Sequence, residues 1–412
     1  MASKKYHNNL IINMPSDVKY IINTLISHGY EAYSVGGCVR DSILGKTPKD
    51  WDITTSATPT EIKSLFSRTI DTGIKHGTVT VMIKNTGYEV TTYRIDGTYR
   101  DGRHPAQVTF TDSLREDLRR RDFTINAMAY NDITGIVDCF GGMIDLKLKV
   151  IRCVGNPLER FSEDALRMLR AVRFSASLDF SLETSTMEAI ISLAPSISKV
   201  SRERIQAELE KLLMSHLPQR AALLYDTGLM QMIFKENSFF SHTLSSEASL
   251  LSAALMRSPR EHYIRWAVFA SYVSANNIFK SLKFDNATVK ICGNLIKHKS
   301  LPLPLKEPEL KRCIVRIGRD IFGKYYLPYR KVLEYENLKH LEAISSMYND
   351  IVQRGDCLSI KELKINGSDL AAVGIEPGRK MGDILNYLFD SVLDDHTKNN
   401  RETLIELAKN YT

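Results

Sequence analysis

At 412 residues, 43% of them hydrophobic and 25% charged, the chain has a globular composition and the length for roughly two to four domains, which excludes a disordered or fibrous protein. The formal charge of +7 is modestly basic and suits a polyanionic partner without specifying one. Six scattered cysteines with no CxxC pair argue against a zinc site or disulfide framework, and no 18-residue apolar stretch exists to predict a transmembrane helix.

The start, MASKKYHNNLIINMPSD, has neither a signal-peptide core nor arginine-rich transit character, so a cytoplasmic protein is expected. Strand signals dominate the first 150 residues or so. EAYSVGG reads as strand then turn, KDWDITT as a second strand, and GTVTVMIK and GYEVTTYR as two alternating runs joined by a hairpin at NTG. Gly36 and Gly37 follow the first strand and precede a short helical stretch. They are either an ordinary turn or a place where backbone N–H groups approach a phosphate.

Fourteen residues after Gly36 comes Asp50-Trp51-Asp52. On a strand, residues i and i+2 share a face, so the two carboxylates would converge. Paired anions suit a hard cation such as Mg²⁺, although an isolated DxD is also common as surface acid. Glu89 in YEVTTYR offers a third carboxylate or a polar residue on a half-exposed strand. Three carboxylates on neighbouring strands could hold two metal ions, one activating an attacking hydroxyl and one neutralising a triphosphate.

In LRRRDFTINAMAY (118–130), Arg119 to Arg121 form either a solvated cluster or a phosphate grip. Arg121, Asp122 and Asn126 have the forked or paired donors and acceptors that bind phosphate and ribose hydroxyls. Beyond residue 150 the periodicity turns helical: EDALRMLRAVRF, SRERIQAELEKLLMS, QRAALLYDTGLMQMIF and REHYIRWAVFASYVS. KSLPLPLKEPE (299–309) reads as a joint between helices, and 365–411 as a separately punctuated last segment.

The stretch FSEDALRMLRAVRF (161–174) predicts one helix with an apolar stripe of Ala165, Leu166, Leu169 and Val172. Its other face carries Glu163, Asp164, Arg167 and Arg170. Ser162 could cap it, with the acids complementing the helix dipole. Alternatively, Asp164 and Arg167, at i and i+3, could read one ligand edge. An aspartate accepts from an exocyclic amine and an arginine donates to a ring acceptor. That pair suits cytosine and adenine, and misfits guanine and uracil, which put a carbonyl where the amine should be.

Taken in this order, GGCVRD…KDWDITT, HGTVTV, EVTTYR, RRDFTINA, FGGMIDLKLKVIR, EDALRMLRAVRF and SRERIQAELEKLL make the chain similar to the class II nucleotidyltransferases. Among these it resembles the bacterial CCA-adding tRNA nucleotidyltransferases, and the likeness extends into 365–411. The resemblance implies an α+β protein. A small mixed α/β catalytic head with a β-sheet (1–150) would be followed by an elongated all-helical neck with the nucleotide-selecting helix (151–215), body (216–305) and tRNA-binding tail (306–412). It implies Mg²⁺ on Asp50 and Asp52, with Glu89 as a third catalytic carboxylate. Gly36, Gly37, Arg40, Arg121, Asp122, Asn126, Glu163, Asp164, Arg167, Arg170 and Arg173 would bind the nucleotide.

The loop DGTYRDGRHP, with Asp96, Tyr99, Asp101 and Arg103, is either an ordinary turn or the flexible loop that this family needs for adding A after two Cs. The implied partners are tRNA, CTP and ATP, with no membrane and no protein partner evident. The implied reaction builds the 3′ CCA end without a nucleic-acid template. A bacterial poly(A) polymerase or an A-adding relative is the alternative, and the absence of a His-Asp dipeptide predicts no phosphohydrolase activity.

Overall fold

The structure is a computed structural model that describes residues 5–7, 10–97, 108–234, 244–273 and 278–411. It divides into two compact units, Met1–Ser249 and Leu250–Thr412. The first unit contains β1 (Lys5–His7), α1 (Ser16–Ser27), β2 (Ala32–Val35), α2 (Gly37–Ile43), β3 (Asp52–Thr55) and α3 (Pro59–Leu65). Then follow β4 (Thr69–Gly73), β5 (Thr78–Ile83), β6 (Thr86–Thr92), β7 (Arg94–Asp96), β8 (Val108–Phe110) and α4 (Leu114–Arg119). Next come β9 (Met128–Asn131), β10 (Gly135–Asp138), α5 (Gly142–Leu148), α6 (Pro157–Glu163), α7 (Leu166–Leu178), α8 (Thr184–Leu193) and α9 (Arg202–Leu213).

Eight strands form one mixed sheet in the order β1-β10-β9-β2-β3-β6-β5-β4, and β7 pairs with β8 beside it. The expected strands and the β5–β6 hairpin are present. Ile83 pairs with Thr86, and Lys84 takes φ +54° in the connecting turn. β3 and β6 run parallel with Ile53 opposite Val90, so one step back along each strand sets Asp52 beside Glu89. α1 buries Val18, Ile21, Ile22 and Leu25, the spacing of one helical face. α3 starts on a Thr58/Glu61 capping box with Pro59 at its first position.

Two helical expectations need correction. The stretch 161–174 is not one helix: it breaks at Asp164, whose φ of −144° and ψ of 102° separate α6 from α7. Ser162 lies exposed inside α6 and makes no cap. Asp164 takes that part instead, its Oδ1 accepting the Leu166 N–H at 3.1 Å. The apolar stripe is correct, since Ala165, Leu166, Leu169 and Val172 are all buried. QRAALLYDTGLMQMIF is likewise interrupted, with Gly228 at φ +72° between helices Leu223–Asp226 and Leu229–Ile233.

Among its described residues the second unit is helical. Its longer helices are His262–Tyr272, Asn286–Lys297, Glu307–Ile317, Leu338–Arg354 and Arg379–Asp394; of the joint expected over 299–309, residues 301–305 are non-helical and 307–309 already belong to Glu307–Ile317. Trp266 sits in its core against Phe269 and Phe284. No helix among the described residues is long and apolar enough to cross a membrane.

Candidate active site

Asp52 opens β3 and faces a cavity of about 220 Å³ that it lines with Glu89, Thr91, Arg94, Arg120 and Arg121. The crowded surroundings desolvate the Asp52 carboxylate and raise its pKa; Arg121 opposes the rise and Asp50 adds to it. Asp50 is exposed and precedes β3 rather than standing on it, so the same-face argument for a DxD strand does not hold here, although its charge is still felt at Asp52. Two carboxylates on adjacent parallel strands are a hard oxygen donor set, which fits a divalent cation.

The arginine run divides by burial. The Arg119 side chain is 66% exposed, while those of Arg120 and Arg121 are 17% and 19% exposed and turn inward. They are held by Asp117, fully buried under the run, with Arg120 Nη2 at 2.7 Å and Arg121 Nη2 at 3.5 Å. Burial alone would raise the Asp117 pKa, but the two guanidinium groups outweigh it and keep it below the ordinary aspartate value. Arg121 Nε is buried without a hydrogen-bond partner among the described residues.

Arg120 and Arg121 also line a second cavity, of about 260 Å³, together with Asp122, Asp164, Arg167, Arg170 and Arg204. Each charged group there has a partner. Glu163 accepts from Arg167 Nη1 at 2.6 Å and also pairs with Arg160. Asp164 is paired with Arg204 of α9 at 2.8 Å. Asp122 accepts from Arg170 at 2.6 and 2.8 Å and from Asn126 at 3.2 Å. Arg173 is paired with Glu208 at 2.5 Å, so it faces α9 rather than the cavity.

The glycines and Arg40 stand behind this wall. Gly36 takes φ +84° before α2, and a Cβ there would lie 3.0 Å from Arg121 Nη1. Gly37 begins α2. Arg40, almost buried, donates to Asn126 Oδ1 at 2.6 Å and lies over the Phe174 ring, as do Arg170 and Arg173. Asp96 ends β7, paired with Arg94 at 3.1 Å and lying 3.9 Å from Arg120. Tyr99, Asp101 and Arg103 lie outside the described residues.

Sequence reasoning missed Asp117, Arg204, Glu208 and Phe174 as parts of the site. Asp117 carried a usable signal, since it stands three and four residues before Arg120 and Arg121, the spacing that brings side chains together over one helical turn. Arg204 and Glu208 sit 40 and 35 residues from their partners Asp164 and Arg173, and no local pattern links them.

Residues 32–152 match the family model described as Poly A polymerase head domain. Residues 179–240 match Probable RNA and SrmB-binding site of polymerase A, and 258–408 match tRNA nucleotidyltransferase domain 2. The chain is 38% identical to a CCA-adding enzyme of Ligilactobacillus salivarius, over 97% of this chain and 98% of that one. It is 40% identical to one of Levilactobacillus brevis, over 93% and 95%. Its fold is similar to the crystal structure of the Bacillus stearothermophilus CCA-adding enzyme in complex with CTP, with a TM-score of 0.76 at 32% identity, covering 96% of this chain and 98% of that one.

Proposed function

The chain belongs to the family of CCA-adding enzymes, and on that premise we propose that it extends the 3′ end of tRNA with CCA from CTP and ATP, releasing pyrophosphate. The observation that carries this reading is the pair of cavities meeting at Arg120 and Arg121. One holds carboxylates and the other holds Asp164 and Arg167, so a nucleotide can span them with its triphosphate toward the carboxylates and its base toward α7.

Asp52, with Glu89 beside it and Asp50 two residues before it, would hold Mg²⁺, which when bound lowers the pKa of the tRNA 3′-hydroxyl and neutralises the triphosphate. Arg120 and Arg121, which line both cavities, bind phosphate oxygens. The turn at Gly36 keeps space beside Arg121 that a side chain would fill. Asp122 and Asn126 take the ribose hydroxyls, braced from behind by Arg170 and Arg40. Asp164 accepts from the base amine and Arg167 donates to a ring acceptor, which admits C and A and rejects G and U. Holding the hydroxyl and the α-phosphate in line supplies the orientation part of the rate. The loop from Asp96 through Tyr99, Asp101 and Arg103 serves addition of A, and 306–412 serves tRNA binding. The reading places the enzyme in the cytoplasm.

Labelled CTP and ATP offered to tRNAs ending before C74, C75 or A76 should be incorporated only until CCA is complete. Long A tails would instead identify a poly(A) polymerase. Arg167→Ala should lower discrimination against UTP and GTP by roughly 10-fold or more, as expected for losing a charge-assisted hydrogen bond. Unchanged selectivity in a four-nucleotide competition would reject Arg167 as a base reader.

A further inference from the structure

Asp117 lines neither cavity, yet Arg120 and Arg121, which line both, converge on it. Its side chain is fully buried. Oδ1 accepts Arg120 Nε at 2.9 Å and Nη2 at 2.7 Å, a fork on one oxygen. Oδ2 lies 3.5 Å from Arg121 Nη2 and accepts the Thr54 hydroxyl at 3.1 Å. Thr54 is a buried residue of β3 whose hydroxyl also lies 3.2 Å from the Thr91 carbonyl of β6. It stands two positions after Asp52, on the same face of the strand. The ion pairs alone would hold the arginines to their own stretch of chain. The bond to Thr54, 63 residues away in sequence, fixes them to the sheet. One carboxylate therefore joins two guanidinium groups to the strand that carries Asp52.

We propose that Asp117 is a positioning residue for the polyphosphate of the incoming nucleotide: by tying Arg120 and Arg121 to β3 through Thr54, it fixes the spacing between the phosphate-binding guanidinium groups and Asp52. This rests on the reading of Arg120 and Arg121 as phosphate binders. Two opposed effects follow from one buried anion. Its charge offsets part of the positive field that attracts phosphate, so its removal would tighten binding if charge alone mattered. Its bonds also orient two long side chains, so its removal frees them to settle away from the phosphate positions, and ordering them then falls on the nucleotide. The second effect is the larger. A guanidinium that misses its phosphate forfeits a charged hydrogen bond, about 10-fold in binding, whereas the carboxylate lies behind the guanidinium groups and lines neither cavity. Such a grip is blind to the base, because the polyphosphate is common to all four nucleotides and to the pyrophosphate product.

The test is steady-state incorporation of CTP onto tRNA ending before C74 and of ATP onto tRNA ending before A76. Pyrophosphate serves as product inhibitor, and each variant is also melted. Asp117→Ala should raise both KM values and the pyrophosphate inhibition constant by one common factor, about 10-fold or more. The CTP-over-UTP ratio of kcat/KM should stay at the wild-type value, since both nucleotides lose the same contact. Thr54→Val keeps both ion pairs and removes only the tie to β3, and should raise the same three constants by a smaller common factor. A merely structural role would lower the melting temperature and, through a smaller folded fraction, kcat, with KM and the inhibition constant unmoved. Unmoved constants in Asp117→Ala overturn the proposal, and so do lowered ones, which would leave Asp117 a charge offset alone. A CTP-over-UTP ratio that falls with it would put Asp117 in base choice and also overturn it. Wild-type constants in Thr54→Val overturn the tie to β3 and the proposal with it. If Asp117→Ala does not fold, Asp117→Asn decides by the same readings. Arg120→Ala and Arg121→Ala run in parallel separate the two levels. If these raise the constants while the Asp117 variants do not, only the role of Asp117 fails. If they also leave all three constants at wild-type values, the phosphate reading fails and this inference falls with it.

Discussion

Asp122 shows how single residues set this site. Burial pushes its carboxyl toward the neutral form, but Arg170 more than compensates, with help from Arg167 and Asn126, and holds the pKa down at about 2. A folded-state pKa below the unfolded value contributes stability that is present above the unfolded pKa and is lost as pH falls through the folded one. The window is therefore about pH 4 down to pH 2, and the contribution at neutral pH is about 2 kcal/mol. Denaturant unfolding followed across acid pH should show wild-type stability falling through that window and Asp122→Asn falling less steeply. Equal slopes would mean that Arg170 does not hold Asp122 ionised. At this scale the sequence disclosed which groups could matter, since carboxylates and arginines in short motifs announce their chemistry. It did not disclose how they pair. Asp164 with Arg204 and Arg173 with Glu208 are contacts between α9 and the α6–α7 segment, and such pairs exist only after the helices have packed.

Among the elements, the strands were legible because period-two alternation and the separator NTG are local signals, and β2, β3, β5 and β6 formed where they were expected. The break between α6 and α7 was not, because the buried Phe161 stands one helical turn before Ala165 and periodicity alone favours one helix. What decides it is Asp164, whose side chain bonds Leu166 N–H and Arg204 in place of helical continuation. The segment FGGMID holds a similar lesson in its adjacent glycines. Gly141 takes φ +80° with open space around it, so a side chain there meets only left-handed strain. Gly142 begins α5 in close contact, and a Cβ would lie 2.4 Å from the Thr124 carbonyl and 2.9 Å from Met128 Cγ. Gly142→Ala should therefore cost about 3 kcal/mol through overpacking, and Gly141→Asn about 1 kcal/mol or less. Thermal melting of both checks the order; a Gly141→Asn protein less stable than Gly142→Ala would mean that backbone conformation, not close approach, fixes this turn.

Across the whole molecule, charge is used in two ways. In the first unit the pairs Arg167–Glu163, Arg170–Asp122 and Arg204–Asp164 flank a cavity, while in the second a buried lysine joins elements far apart in sequence. Lys311, 1% exposed, lies 3.0 Å from Glu307 and 2.7 Å from Asp356. Arg354 closes the network at 2.5 Å from Glu307 and 2.9 Å from Asp356. Glu307, Asp356 and His396 come close enough together to suggest a metal site, but the acids already hold these two cations. Removing one member of a buried network leaves the other charges uncompensated, so Lys311→Ala should destabilise the second unit by about 3 kcal/mol. The two tryptophans allow this to be assigned, because Trp51 belongs to the first unit and Trp266 to the core of the second. In a Trp51→Phe background, fluorescence reports Trp266 alone. Lys311→Ala should then shift the urea midpoint of Trp266 downward, while CTP binding in the absence of denaturant, measured by calorimetry, stays at its parent value. An unmoved Trp266 midpoint would show that Lys311 carries no net stability; lost CTP binding would show that the nucleotide site depends on the second unit's integrity.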